Sequence, residues 1–122
     1  MQPIVVWTEI PVTDLKKSAT FYAEVFGWTM EITTMGPNEV ATFNALTDKD
    51  KGAVGGHLYP GTPATGATVH LGLPDTVEAG AARCAAAGGQ VMGPVMDIPQ
   101  GRFQYALDPD GNSLGLFEAK AA

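Results

Sequence analysis

The segment Glu9-Ile10-Pro11-Val12-Thr13-Asp14 is written a second time as His70-Leu71-Gly72-Leu73-Pro74-Asp75. Each copy closes an apolar alternation of strand type and ends on an Asp placed to cap a helix. Leu15-Lys16-Lys17 then opens a helical run stopped by Gly27, and Thr76-Val77-Glu78 opens an alanine-rich run stopped by Gly88. Asp14 and Asp75 are 61 positions apart, and so are Gly27 and Gly88. A register kept through strand, cap, helix and stop identifies a duplicated unit. A chain of 122 residues is long enough for one domain with a real core, not for two independent ones. The two halves must therefore share a core.

Read in order, residues 4–12 alternate as a strand, with Ile4, Val6, Thr8, Ile10 and Val12 on the side that receives the helix. Asp14 caps a helix over 15–26, whose stripe is Leu15, Ala19, Tyr22 and Phe26. Strands follow at 28–34, 40–45 and 53–59, separated by turns at 35–38 and 48–52. In the second half, Val69, Leu71 and Leu73 face the helix, and Asp75 with Glu78 has the spacing of a capping box. A helix over 76–87 ends at Gly88-Gly89, and strands follow at 90–95, 102–107 and 114–118. The turn between the last two is Asp108-Pro109-Asp110-Gly111-Asn112, with Pro early and Gly late. The expected fold class is α+β, with βαβββ written twice. Module one is 1–60, a linker is 61–65 and module two is 66–122.

Composition excludes several function classes. Hydrophobic residues at 45% and charged residues at 16% fit a globular chain rather than a disordered one. The net charge is −6 with 7 Lys and Arg and no basic cluster, so neither nucleic acid nor an anionic membrane is an expected partner. No run approaches membrane-spanning length, and the first residues lack the pattern of a signal peptide. The single cysteine, Cys84, permits no internal disulfide and suits a reducing cytoplasm. There is no Cys-Cys or His-Cys metal spacing, no phosphate-cradling loop and no nucleophile elbow.

Four stretches carry a resemblance: residues 9–14, Phe21-Tyr22-Ala23-Glu24-Val25-Phe26-Gly27-Trp28, the Gly88-Gly89 stop and the 108–112 turn. Together they resemble the vicinal-oxygen-chelate superfamily of glyoxalase I, bleomycin-resistance proteins and extradiol dioxygenases, over essentially the whole chain. The resemblance implies two βαβββ modules whose strands curl into a mixed β-sheet cup with the helices outside. It also implies a small-molecule ligand in the cup and assembly as a homodimer. Metal-dependent members place ligands on the first and last strand of each module. Counted from the helix caps and the last turns, those positions fall here on Trp7, Gly55, Thr68 and Gly115. None is a normal donor to a divalent cation, so no family metal is expected and a true metal-dependent glyoxalase I activity is not.

Two residues beyond three of those positions stand Glu9, His57 and His70, the only two histidines and one carboxylate. Alternation turns all three to the concave side. Three readings stay open: contact with a ligand, a structural ion pair or hydrogen-bonded network, and a shifted divalent-metal site through Glu9, His57 and His70. Glu9 and His70 occupy equivalent places, five residues before Asp14 and Asp75, and are expected to converge as the catalytic pair. Trp7, Met30, Met92, Phe103, Tyr105 and Phe117 are candidate apolar lining. Glu118, on the opposite face of its strand, reads as structural or exposed, and Arg102 as a surface ion pair or an anion contact. The function expected is binding or metal-independent transformation, of lyase or isomerase type, of a small oxygenated or aromatic molecule. The alternative is non-catalytic sequestration of the bleomycin-resistance type.

Overall fold

The computed structural model describes residues 3–43, 54–62 and 66–121. The chain runs β1 (Val5–Val12), α1 (Leu15–Phe26), β2 (Glu31–Met35), β3 (Asn38–Thr42) and β4 (Gly55–Pro60). It repeats as β5 (Thr68–Gly72), α2 (Val77–Ala86), β6 (Gln90–Ile98), β7 (Gly101–Leu107) and β8 (Ser113–Ala119). This is the α+β class with βαβββ twice. Two compact units emerge: an N-terminal unit, Trp7–Ala67, and a C-terminal unit of Met1–Val6 with Thr68–Ala122. Gly72 N–H donates to Ile4 O at 3.0 Å, which ties the residue just before β1 into the C-terminal unit.

In the N-terminal unit the strand order is β2-β3-β4-β1, with β1 and β4 parallel and the remaining neighbours antiparallel. Parallel neighbours need a long crossover, which α1, β2 and β3 supply. Asp14 caps α1 by accepting Lys17 N–H at 3.0 Å, and Gly27 ends it with φ at 72°. Val12, Ala19, Ala41, Phe43 and Leu58 form the core, with Ile10, Leu15, Tyr22 and Met30 packed against it. Ile10 and Val12 of β1 thus pack on the helix side as expected, whereas Ile4 is 49% exposed. Three expectations shift here. Trp28 does not begin a strand: its ring stacks on Phe43 at 4.7 Å and on Phe26 at 4.9 Å, and regular pairing starts only at Glu31. Phe26 lies at the exposed end of that stack rather than in the core. Met30, read as cup lining, packs instead on the helix side. The 48–52 turn, residues 44–45 and most of the 61–65 linker lie outside the described residues.

The C-terminal unit orders its strands β5-β8-β7-β6, with β5 and β8 parallel. Its helix cap is not the one the spacing predicts. Thr76 is the N-cap, its Oγ1 accepting Ala79 N–H at 3.1 Å. Asp75 instead holds Arg83 in a bidentate pair, both contacts at 2.8 Å, and Glu78 pairs with Arg102. Two charge-assisted bonds draw Asp75 away from the cap, and the neighbouring threonine caps in its place. Glu118 is structural, as its strand parity suggests: Oε1 accepts Val77 N–H at 2.9 Å and lies 3.1 Å from Arg102 Nη1. It joins β8 to the electropositive start of α2. Arg102 also approaches Asp97 at 3.4 Å, so the surface ion-pair reading of this residue holds.

β6 extends to Ile98 because a bulge carries it on. Met92 pairs with Tyr105 and Met96 with Phe103, leaving three residues opposite Gln104 alone. Gly93 takes φ at 68°, and Gln104 Nε2 donates to its carbonyl at 2.7 Å. In the 108–112 turn, the Asp108 carboxylate accepts the Asp110 and Asn112 N–H groups and Asn112 Nδ2, each at 2.9 Å.

Candidate functional site

The parallel pair β1–β4 sets Trp7 against Gly55, Glu9 against His57 and Pro11 against Tyr59. Residues paired this way project to one side. These six therefore share the face turned away from α1, whose packing takes Ile10, Val12 and Leu58. Trp7 Nε1–H donates to His57 Nδ1 at 2.9 Å. The other ring nitrogen of His57, Nε2, lies 3.6 Å from Glu9 Oε1, an ion-pair separation longer than a direct hydrogen bond. Both side chains are sheltered, His57 at 9% and Glu9 at 12% exposure. Tyr59 meets His57 edge-on at 6.2 Å. Burial, and then the Glu9 charge, push the Tyr59 phenol above its ordinary range, so it remains a hydrogen-bond donor. A side chain at Gly56 would run into Thr8 O and the Phe43 ring, so only glycine lets β4 lie this close.

In the C-terminal unit the corresponding strands place His70 opposite Gly115 and Gly72 opposite Phe117. β7 adds Tyr105 beside Gly115 and Phe103 beside Phe117. His70 is 3% exposed. Its imidazole fills the space over Gly115 that any Cβ would occupy. Phe103 and Tyr105 flank the ring at centroid distances of 5.0 and 5.6 Å, and meet each other at 5.4 Å. Thr68 and Ser113 share a hydroxyl–hydroxyl bond of 2.5 Å. Beyond the aromatics, Met92 and Met96 stand 40% and 45% exposed.

The candidate residues thus fall into two groups. Trp7, Glu9 and His57 are gathered in the N-terminal unit, where the imidazole beside Glu9 is that of His57. His70, Phe103, Tyr105 and Phe117 are gathered in the C-terminal unit. Tyr59 and Met96 were not among the residues read from sequence. Strand parity with His57 was the signal for Tyr59; Met96 was missed because β6 was expected to end at residue 95.

The sequence pattern of the Glyoxalase/Bleomycin resistance protein/Dioxygenase superfamily matches residues 4–116. The chain belongs to that superfamily. Relatives named "Putative glyoxylase CFP32", from Mycobacterium bovis and Mycobacterium tuberculosis, are 29% identical over 93% of this chain. The match takes in only 44% of each of those relatives, so the chain spans less than half their length. A "Glyoxylase-like domain-containing protein" of Didymella fabae is also 29% identical, with 88% of each chain covered. Among solved structures, hypothetical protein BH1468 from Bacillus halodurans superposes with a TM-score of 0.73 at 13% identity, covering 100% of this chain and 98% of that one. A Streptomyces coelicolor methylmalonyl-CoA epimerase gives 0.70 at 19% identity, covering 98% and 96%. At such identities the likeness is one of fold.

Superfamily membership raises the question of a metal, and the residues at the family positions do not fit one. The Trp7 indole nitrogen is a donor without a free lone pair, and it is bonded to His57. Gly55 and Gly115 have no side chain, and the His70 ring occupies the space beside Gly115. Thr68 spends its hydroxyl on Ser113. In register, Gly55 lies opposite Trp7 and Gly115 lies opposite His70. Among the described residues no three His, Cys, Asp or Glu side chains are grouped to hold a metal ion.

Proposed function

We propose that this superfamily member binds a small oxygenated or aromatic molecule and transforms it by metal-independent proton transfer, as a lyase or isomerase. Glu9 takes the proton, and His57 stands beside it. The observation that carries this reading is the Trp7–His57–Glu9 run, a carboxylate sheltered from water with an imidazole next to it. Taken by itself, the C-terminal unit offers a second candidate for ligand contact, where Phe103, Tyr105 and Phe117 stand around the buried His70. The names of the glyoxylase-like relatives favour an enzyme. The reading includes a homodimer, because α1 leaves Phe21 and Val25 each 56% exposed, apolar area that association covers. It also includes a cytoplasmic location, consistent with the lone free Cys84.

The test is hydrogen exchange at carbon. Purified protein with a chelator is incubated in deuterated water with 2-oxoaldehyde hemithioacetals, 2-hydroxyketones and acyl thioesters, and loss of the α-proton is followed by NMR. One class should exchange, and Glu9→Gln should slow that exchange by about a hundredfold or more. Exchange undiminished in Glu9→Gln, or abolished by the chelator alone, would show the reading to be wrong.

A second reading, sequestration of a flat apolar compound, is favoured by one observation: exposed Met92 and Met96 beside Phe103 and Tyr105. Methionine surfaces adapt to ligands of varied shape. Tight binding of an aromatic compound that emerges unchanged, with no exchange on any substrate, selects this second reading.

A further inference from the structure

Each unit ends in an outer strand, and the two outer strands are built differently. β6 closes the C-terminal unit beside β7, and β2 closes the N-terminal unit beside β3. The free edge of β6 is blunted against further pairing. Pro94 has no N–H to offer, the bulge at Gly93 breaks the run, and Asp97 carries a charge that is 81% exposed. β2 has neither a proline nor a bulge. Its five residues, Glu31-Ile32-Thr33-Thr34-Met35, pair with β3 without a register shift and are all exposed. Ile32, Thr33 and Thr34 are β-branched, the side chains that suit a paired strand best. Among the described residues, no backbone hydrogen bond beyond those to β3 involves these five. Apolar surface adjoins the edge. Ile32 lies opposite Ala41 of the core and so projects to the side that carries α1, where it is 40% exposed. Trp28, just before the strand, is 39% exposed while stacked on Phe43.

We propose that the outer edge of β2 pairs antiparallel with β2 of a second copy of this chain, about a twofold axis at Thr33. In the one register that uses the whole strand, Thr33 meets its counterpart, Ile32 of each copy meets Thr34 of the other, and Glu31 meets Met35. The single charge of the strand then faces a thioether rather than its like, which matters between two chains of net charge −6. A contact of this kind is isologous and closes at two copies. A five-residue edge alone falls short of the roughly 1,200 Å² that a stable interface buries, and Ile32 and Trp28 beside it supply apolar area toward the remainder. The proposal rests on the homodimer included in the proposed function, to which it gives a surface and a register. It is independent of the chemistry assigned to Glu9.

The experiment uses the full chain carrying Cys84→Ser, so that an introduced thiol is the only one. Sedimentation equilibrium should show a dimer at micromolar concentration. Thr33→Cys should link the two copies under mild oxidation, because residues directly opposite on paired strands lie within disulfide reach. Met35→Cys, about 13 Å from its mate in this register, should not. Ile32→Lys combined with Thr34→Lys sets lysines opposite one another and should weaken association at least about tenfold. Thr34→Lys alone, expected to act in the same direction, replaces the double variant if that one loses its circular-dichroism spectrum. A dimer that links through Met35→Cys rather than Thr33→Cys, that links through neither, or that ignores the lysines overturns the β2 edge and leaves a homodimer through another surface standing. A chain that is monomeric at every concentration overturns both. A monomer that instead takes up a synthetic peptide spanning Glu31–Met35 has an edge made for a foreign strand, and the second copy as occupant is overturned. Carbon–hydrogen exchange is measured separately, so its failure would leave the β2 edge untouched.

Discussion

The two units build the same parallel pair of strands and furnish it with opposite chemistry. Where Glu9 faces His57 across β1 and β4, His70 faces Gly115 across β5 and β8. In the first, an indole, an imidazole and a carboxylate are linked edge to edge. In the second, the imidazole lies over a glycine and is walled in by Phe103 and Tyr105. A duplicated backbone fixes which positions meet, through register and strand parity. It does not fix what meets there. The same pair of positions has become a polar, proton-bearing run in one half and a packed aromatic cluster in the other.

The sharpest way to break this contrast is at glycine. Gly115→Ala would drive a methyl group into the His70 ring. We expect a loss of about 2 kcal/mol, within the usual range for overpacking. Gly72→Ala, on β5 in the same unit, meets nothing closer than Ile4 Cβ at 3.6 Å and should cost little beyond measurement error. Urea unfolding of both variants makes the comparison. Equal losses would mean that His70 is not held over Gly115 as described.

The helix caps give a smaller effect and test whether the two units start their helices by the same means. Asp14→Ala and Thr76→Ala should each destabilise by about 1 kcal/mol. Asp75→Ala removes only an exposed ion pair with Arg83 and should cost clearly less than either cap substitution. If Asp75→Ala costs as much as Thr76→Ala, the cap of α2 has been assigned to the wrong residue.

How far these features could be read from the chain follows from how local each one is. Asp14 and Gly27 are legible because a cap and a left-handed stop depend on a few neighbouring residues. The inner face of β1 is legible at Ile10 and Val12 because parity is a local property, whereas Leu71 of β5, expected to face the helix, is 39% exposed. The cap of α2 was misread because Asp75 and Thr76 are both cap-forming residues, and Arg83, eight positions along, decides between them. The pairing of Glu9 with His57 lies further out of reach. It depends on the register of parallel strands 48 residues apart, and a one-residue slip would have turned His57 to the helix side. The bulge in β6 likewise declares itself only through Gln104 on the partner strand.

The smallest expected effect is in the dependence of stability on pH, and it should divide between the units at opposite ends of the scale. In the C-terminal unit, Arg83 holds Asp75, and Arg102 holds Glu78, below their ordinary values of 3.8 and 4.5; Asn112 does the same for Asp108 from 3.8. A carboxylate depressed by folding contributes stability above its ordinary value, and that contribution drains away as pH falls through the folded one. The acid loss should therefore begin below about 4.5 and belong to this unit. In the N-terminal unit the Tyr59 phenol is raised above 10.0 by burial and by Glu9, so its contribution is full below 10.0 and is lost as pH climbs through the folded value. Urea midpoints from pH 3 to 11 would show both limbs. A combined Asp75→Asn, Glu78→Gln and Asp108→Asn variant should flatten the acid limb and leave the alkaline one. Tyr59→Phe should do the reverse. Because the three carboxylates are exposed, added salt should shrink the acid limb in the native chain, whereas the alkaline limb, whose leading cause is burial, should respond little. An acid limb that survives the triple substitution would place the acid-sensitive groups elsewhere in the chain.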